Sequence, residues 1–435
     1  MTPPAPAPPS VAAGTSTEVE VRVVGGGVGL LSRAFEGDAA RAGEPTLVAV
    51  DGDPRWTAIS GRWIGAGVTL ARLAADPRIA EGWPAIAVAA AATANPNLRR
   101  RITVGGVVAA RLPTSDLAAP LCAHGAMVRL HRPFDDTPID LPLGEYLADG
   151  PAGVVTGVVL AEPAPSAYRR VAVRQGPAPA IATVCAVQGP TGLRRWAGAV
   201  ATVPIELTEH GEVPTDVVLL SDHRASADYR RTVVRNLAAT LLVPWATAPP
   251  LPDEVAAGAV PPDLTPPVLR VLPPVHHLEV DGRVLDLPEP VPAAQALSDV
   301  LRRFGVLSVK VGCEEGVCGA CTVQLDGEPV PSCVLPVGTA AGRRIRTAST
   351  LVDTAEGRRL VEELDARCSL QCGFCAPGLV ATATALLRSD RDALDLATCT
   401  DALAGQLCRC TGSWPLVEAV LAAASPDPDT KENRP

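Results

Sequence analysis

From Thr17 to about Val243, short Val/Leu runs alternate with glycine turns and Ala-rich stretches. That texture belongs to folds that mix strands and helices. Val19–Val24, Thr46–Val50 and Val154–Leu160 predict strands, and Leu70–Ala75 and Ser226–Leu242 predict helices. The pattern then breaks. Pro244 to Pro274 carries ten prolines, four pairs of them adjacent. Paired prolines cannot sit inside helices or central strands, so an extended linker is expected. Beyond it, His276 to about Thr350 predicts strands. Asp281-Gly282 and Asp326-Gly327 each stand between two such runs, a hairpin signal. Gln295–Arg303 predicts a short amphipathic helix. Leu351 to Ala424 is mostly helical in pattern, with apolar periodicity in Leu379–Leu387 and Pro415–Ala423. The ends, Met1–Ser16 and Ser425–Pro435, have the composition of disordered segments.

The 435 residues suggest about three folded units. The net charge of −9 argues against nucleic acid or an anionic membrane as partner. The longest apolar run, Trp83–Ala94, is too short to span a bilayer. No basic-then-apolar leader opens the chain, so a cytoplasmic protein with reduced thiols is expected. In that setting twelve cysteines argue for metal rather than disulfides, and ten of them fall between Cys313 and Cys410.

Cys313-x4-Cys318-x2-Cys321, followed by Cys333, has the plant-type spacing of a [2Fe–2S] cluster. Two irons need four thiolates around one small rhomb. A tight loop supplies three and a neighbouring hairpin the fourth. Gly312, Gly316 and Gly319 let backbone amides approach the sulfides. Zinc is disfavoured, because its pairs usually come as two short C-x-x-C units. The second set is Cys372-x2-Cys375 with Cys408-x-Cys410. By spacing alone it suits zinc or iron–sulfur. Cys122, Cys185, Cys368 and Cys399 read as small buried hydrophobes.

Together, Gly312–Thr322, QCGFCAPG (371–378) and QLCRCTG (406–412) resemble the iron–sulfur subunit of the xanthine dehydrogenase/aldehyde oxidase/carbon monoxide dehydrogenase family, the molybdenum hydroxylases. The resemblance covers roughly His276–Ala424. It implies one cluster in a β-grasp, plant-ferredoxin-like domain (276–350; Cys313, Cys318, Cys321, Cys333). It implies another in a four-helix bundle (351–424; Cys372, Cys375, Cys408, Cys410). It also implies that Gln371 and Cys410 lie nearest a molybdopterin held by a partner subunit. Gln406 and Ser413 depart from the family's usual Asn and Tyr.

The N-terminal half resembles the flavin subunit of the same family. The pieces are VGGGVGLL (24–31), IGAGVTLARLAADP (64–77), the Arg99–Gly106 loop with Thr103, Gly105 and Gly106, and Ser115-Asp116-Leu117. Tyr168-Arg169-Arg170 and Ala225–Arg231 match its C-terminal subdomain. This implies an α/β FAD-binding domain (17–150) and an α+β subdomain (151–243). Gly25, Gly26, Gly27, Val28 and Gly29 would hold the pyrophosphate together with the second glycine loop. Thr103 would bond a phosphate and Asp116 the flavin's ribityl region, with Ser115 also among the cofactor-binding residues. Val28, Gly29 and Val107 replace polar residues usual in the family.

The fold class expected is therefore an α+β multidomain chain. The function implied is an electron-transfer subunit with no catalytic residue of its own. Electrons would run from the partner's molybdopterin through both clusters to FAD, then to NAD, oxygen or quinone. A hetero-oligomer with two-fold symmetry is implied. The alternatives are a flavin-free iron–sulfur conduit and a zinc-binding interaction protein. The six histidines show no metal or triad spacing.

Overall fold

The structure, a computed structural model, describes residues 21–24, 46–51, 54–132, 137–174, 178–241, 268–389 and 394–425. The leader, most of the proline-rich segment, the tail after Ser425 and the loop Gly25–Gly29 lie outside them. Near the N-terminus β1 (Val21–Val24) pairs in parallel with β2 (Thr46–Asp51). A separate antiparallel sheet follows. Its strands are β3 (Ile59–Ser60), β4 (Trp63–Gly65), β5 (Met127–His131), β6 (Ile139–Pro142) and β7 (Val154–Val159), in the order β3-β4-β7-β5-β6. β7 is central to this sheet, so the first domain runs past Gly150, where the sequence had placed its end.

Short helices cover that sheet, and their starts are written locally. Thr69, Asp76 and Asn95 each accept a backbone N–H in the first turn of the helix they precede. Pro77, Pro84 and Pro96 occupy first helical positions, where a missing N–H costs nothing. The apolar run after Trp83 becomes the helix Pro84–Ala92, with Ile86, Ala89 and Ala90 buried.

The next unit is an antiparallel meander: β8 (Ser166–Ala172), β9 (Ala180–Gly189), β10 (Gly192–Gly198) and β11 (Ile205–Glu206). The helix Ala227–Thr240, capped by Ser226, packs over it. Its Arg230 is fully buried, paired with Asp222 at 2.7 Å and donating to the Ala199 carbonyl at 2.7 Å.

Where the two units meet, two buried groups titrate in opposite senses. Burial lowers the pKa of His124 to about 4, and its Nε2 lies 3.0 Å from Ser166 Oγ. Burial raises Asp116 to about 6, against the pull of Arg170 and Tyr168. Neutral His124 favours the fold fully above its ordinary pKa of 6.5, and this is lost as pH falls through 4. Protonated Asp116 favours the fold fully below its ordinary 3.8, and this is lost as pH rises through 6. Each effect is on the order of 3 kcal/mol and they oppose across nearly the same window. His124→Gln keeps a partner for Ser166 and removes one of the pair. Its melting temperature should rise relative to wild type as pH falls from 7 to 5. A variant that tracks wild type across that range would refute the assignment.

Part of the proline-rich segment is not linker. β12 (Val268–Val271) returns to pair antiparallel with β2. β13 (Val275–Val280), β14 (Arg283–Val291), β15 (Thr322–Leu325), β16 (Glu328–Pro331) and β17 (Arg344–Arg346) then form a mixed sheet, ordered β14-β13-β17-β15-β16. Only β13 and β17 run parallel. Both Asp-Gly pairs turn hairpins as expected, with φ of 53° and 76° at Asp281-Gly282 and 52° and 94° at Asp326-Gly327. The helix Leu297–Arg303 covers the sheet. The last unit is helical: Ala355–Ala366, Ala376–Ser389, Leu396–Ala402 and Trp414–Ala424 surround a core of Leu360, Leu379, Leu416 and Val420. Among the described residues no helix is long and apolar enough to cross a membrane.

Candidate functional site

The loop before β15 gathers Cys313, Cys318 and Cys321, and the single turn Ser332–Val334 after β16 brings Cys333 to them. Cys313 lies within hydrogen-bonding reach of Cys318 and Cys333, and Cys321 within reach of Cys333. Those contacts favour the thiolate at Cys313, chiefly through Cys318, and at Cys321, chiefly through Cys333. Cys313 Sγ also accepts backbone N–H groups of Glu315, Val317 and Cys318 at 3.4, 3.3 and 3.4 Å. The loop can curl this tightly because Gly316 and Gly319 take φ of 71° and 76°.

The second set gathers between helices. Cys372 and Cys375 precede Ala376–Ser389, and Cys408 and Cys410 precede Trp414–Ala424. Cys372 and Cys410 sulfurs are 3.4 Å apart, and Cys375 is within reach of Cys408. The Phe374 N–H, then the Cys410 thiol, favours the thiolate at Cys372. Burial disfavours it at Cys408, but the Thr411 hydroxyl at 3.1 Å and its N–H at 3.4 Å outweigh that. All eight predicted cysteines thus fall into two nests of four. Among the described residues no three His, Cys, Asp or Glu side chains surround one ion position. A [2Fe–2S] rhomb does not need that, since each iron takes only two thiolates. The donor chemistry and number fit one such cluster per nest.

The nests share a wall. The Leu407 N–H, next to Cys408, donates to the Cys318 carbonyl at 2.9 Å. Backbone packs on backbone here: a Cβ on Gly319 would lie 2.2 Å from the Gly405 carbonyl oxygen, and one on Gly378 would lie 2.0 Å from that of Gly319. The first nest is partly enclosed, whereas Cys372 and Cys410 are exposed, as is Gln371. Exposed Leu370, Phe374, Leu407 and Trp414 flank this second pair. Cys122, Cys185 and Cys399 are buried, and burial pushes the Cys122 thiol up to about 12. Cys368 departs from expectation: it is exposed, at a φ of 48°.

The flavin-side residues are differently employed. Thr103 caps the helix Val104–Ala110, its Oγ1 accepting the Gly106 N–H at 3.1 Å. The N–H groups of Val104, Gly105 and Val107 go to the carbonyls of Val68, Ala66 and Thr103. Gly105 is needed for packing, because a Cβ there would lie 2.5 Å from that of Ala66. Asp116 is buried, accepts the Tyr168 hydroxyl at 2.7 Å and pairs with Arg170 at 3.2 Å. Ser115 Oγ is buried with no hydrogen-bond partner among the described residues. Thr103 Oγ1 thus caps a helix while its own O–H stays available to donate, and Asp116 is held by Tyr168 and Arg170. In the second glycine loop the N–H groups of Val104, Gly105 and Val107 are all taken by backbone carbonyls. The first, Gly25–Gly29, lies outside the described residues.

One group of residues was missed by sequence reasoning. Asn95 and Leu98, in the N-terminal half, lie against the first cysteine loop. Asn95 Nδ2 donates to the Gly316 carbonyl at 2.9 Å, and Leu98 joins the hydrophobic core of the β13–β17 sheet. The only sequence sign was the Asn-Pro helix start.

Two cysteine nests behind a flavoprotein-like domain define a class of electron carrier. Comparison with known proteins agrees. The family model described as "FAD binding domain in molybdopterin dehydrogenase" matches residues 11–157. A "2Fe-2S iron-sulfur cluster binding domain" matches 281–344, and a "[2Fe-2S] binding domain" matches 347–421. The small subunit of nicotine 6-hydroxylase from Paenarthrobacter nicotinovorans is 43% identical over 147 residues, covering 34% of this chain and 87% of that subunit. The xanthine dehydrogenase iron-sulfur-binding subunit of Escherichia coli O157:H7 is 45% identical over 129 residues, or 29% of this chain and 79% of that one. The chain belongs to the molybdenum hydroxylase family, that of xanthine dehydrogenase, aldehyde oxidase and carbon monoxide dehydrogenase. It carries two [2Fe–2S] domains and an FAD-binding domain; in this family molybdopterin belongs to the partner subunit.

Proposed function

We propose that the chain relays electrons from a molybdopterin centre on a partner subunit, by way of the helical-domain nest and then the plant-type nest, to the N-terminal half and an external acceptor. The Leu407 N–H to Cys318 carbonyl hydrogen bond carries this reading, because it joins the two nests one residue away from Cys408. Cys372, Cys375, Cys408 and Cys410 would hold the first cluster, and Cys313, Cys318, Cys321 and Cys333 the second. Such clusters pass electrons one at a time at potentials set by hydrogen bonds and burial. The sheet order supports a β-grasp reading for 276–350, and four helices around one core support a bundle for 351–424.

The partner side follows from exposure. Exposed Cys372 and Cys410, with Gln371 and the apolar Leu370, Phe374, Leu407 and Trp414 beside them, suit a surface that becomes buried in a complex. The molybdopterin subunit would dock there, in a two-fold hetero-oligomer. At the other end, flavin held by the N-terminal half would collect single electrons for NAD, oxygen or quinone. Its pyrophosphate contacts would then fall to Gly25–Gly29. The test is acid-released flavin against iron in the chain purified with its partner. About four irons per chain with one FAD is the expected result. Four irons without flavin would leave the conduit and remove the flavin terminus. Zinc in place of iron would overturn the whole reading.

A further inference from the structure

We propose that Asn95, from the flavin-type domain, is a positioning residue for the plant-type nest and sets its reduction potential. The inference rests on the cluster assignment above and concerns one peptide unit. The Gly316 carbonyl and the Val317 N–H belong to the same planar trans peptide, so they point in opposite directions. On one side, Asn95 Nδ2 donates to the Gly316 oxygen at 2.9 Å. On the other, the Val317 N–H reaches Cys313 Sγ at 3.3 Å. Gripping the oxygen therefore fixes the direction of the N–H that faces the sulfur. It also polarises the peptide and strengthens that donor.

The seat is built for this contact. Asn95 is 1% exposed and Leu98 4%. The Asn95 side chain is held at its other end, where Oδ1 accepts the Leu98 N–H at 2.9 Å. Room for it depends on Gly405, where a Cβ would lie 2.8 Å from Asn95 Cγ. Leu98 closes over Gly316, where a Cβ would lie 2.7 Å from Leu98 Cδ2. An amide with one defined donor, one defined acceptor and a glycine, Gly405, clearing its volume is a fixed lever, not a surface contact.

Donors to a ligand sulfur stabilise the more negative, reduced cluster and raise its potential. Loosening the Val317 N–H lowers it. Loosening the packing alone admits water, which also stabilises the reduced form and acts in the opposite direction. The sign of the shift therefore separates the two causes.

The experiment is a redox titration of the full chain followed by EPR, in wild type, Asn95→Ser and Leu98→Ala. The plant-type signal is identified as the one that Cys333→Ala abolishes. In Asn95→Ser the plant-type centre should become up to roughly tenfold harder to reduce, about 59 mV lower for one electron. The helical-domain signal should not move. Leu98→Ala, which keeps the amide, should leave that potential unchanged or raise it. An unmoved or raised plant-type potential in Asn95→Ser, or equal downward shifts in both variants, overturns the proposal. Absence of iron and acid-labile sulfide from the wild-type chain would instead sink the cluster assignment on which it rests.

Discussion

Cys333→Ala should halve the iron of the chain, from about four to about two, and remove one of two EPR signals. Cys333 is 4% exposed and stands in the turn after β16, brought to the other three sulfurs by the Asp326-Gly327 hairpin. Three thiolates cannot close a rhomb that needs two per iron. Cys372 and Cys410 keep their own contacts, so the helical-domain centre should survive with its signal intact. Metal analysis with EPR of the reduced chain reads both quantities. A variant that keeps both signals, or loses all its iron, would show that the eight cysteines do not divide as proposed.

Gly319→Ala should be nearly as damaging without touching a sulfur. Its φ of 76° strains any side chain, and the added Cβ would lie 2.2 Å from the Gly405 carbonyl oxygen. The backbone strain alone is about 1–3 kcal/mol. The overlap is with backbone, which no rotamer relieves, so the two loops must part. The expected loss is at least about 3 kcal/mol in the stability of the C-terminal half. The parting also stretches the Leu407 N–H to Cys318 carbonyl bond, which slows electron exchange between the nests. Thermal unfolding followed by near-UV and visible circular dichroism measures the first effect, and freeze-quench reduction the second. A variant with wild-type melting and wild-type exchange would mean the loops are not packed as described.

Much of the C-terminal half was legible because its determinants are local. Asp281-Gly282 and Asp326-Gly327 fix their turns through two adjacent residues with positive φ. The Cys313–Cys321 spacing is one loop. The two nests could be counted, since each needs four sulfurs and eight suitably spaced ones exist. The N-terminal half was harder. Thr103-Val104-Gly105-Gly106 reads as a phosphate loop, and its place as the capped start of a helix in tight contact with Ala66 shows only in the fold. Asp116 acquires Tyr168 and Arg170 from a strand some fifty positions away. Asn95 and Gly316 are 221 positions apart, and no periodicity encodes such a meeting. β12 was hidden for a different reason: four strand-forming residues lay directly behind paired prolines.

That strand has a consequence for how the chain could be divided. β12 follows residues 242–267 in sequence yet pairs with β2 of the N-terminal domain. A single break within 242–267 would leave the C-terminal fragment still adding a strand to its counterpart, still receiving Asn95 at Gly316, and still pairing Asp401 with Arg99. The covalent join therefore raises the effective concentration of surfaces that meet through β2–β12, Asn95–Gly316 and Arg99–Asp401. A split before Val268 would make the β2–β12 pairing a contact between the fragments, and one after Val271 would leave β12 on the N-terminal fragment and remove that contact from the interface.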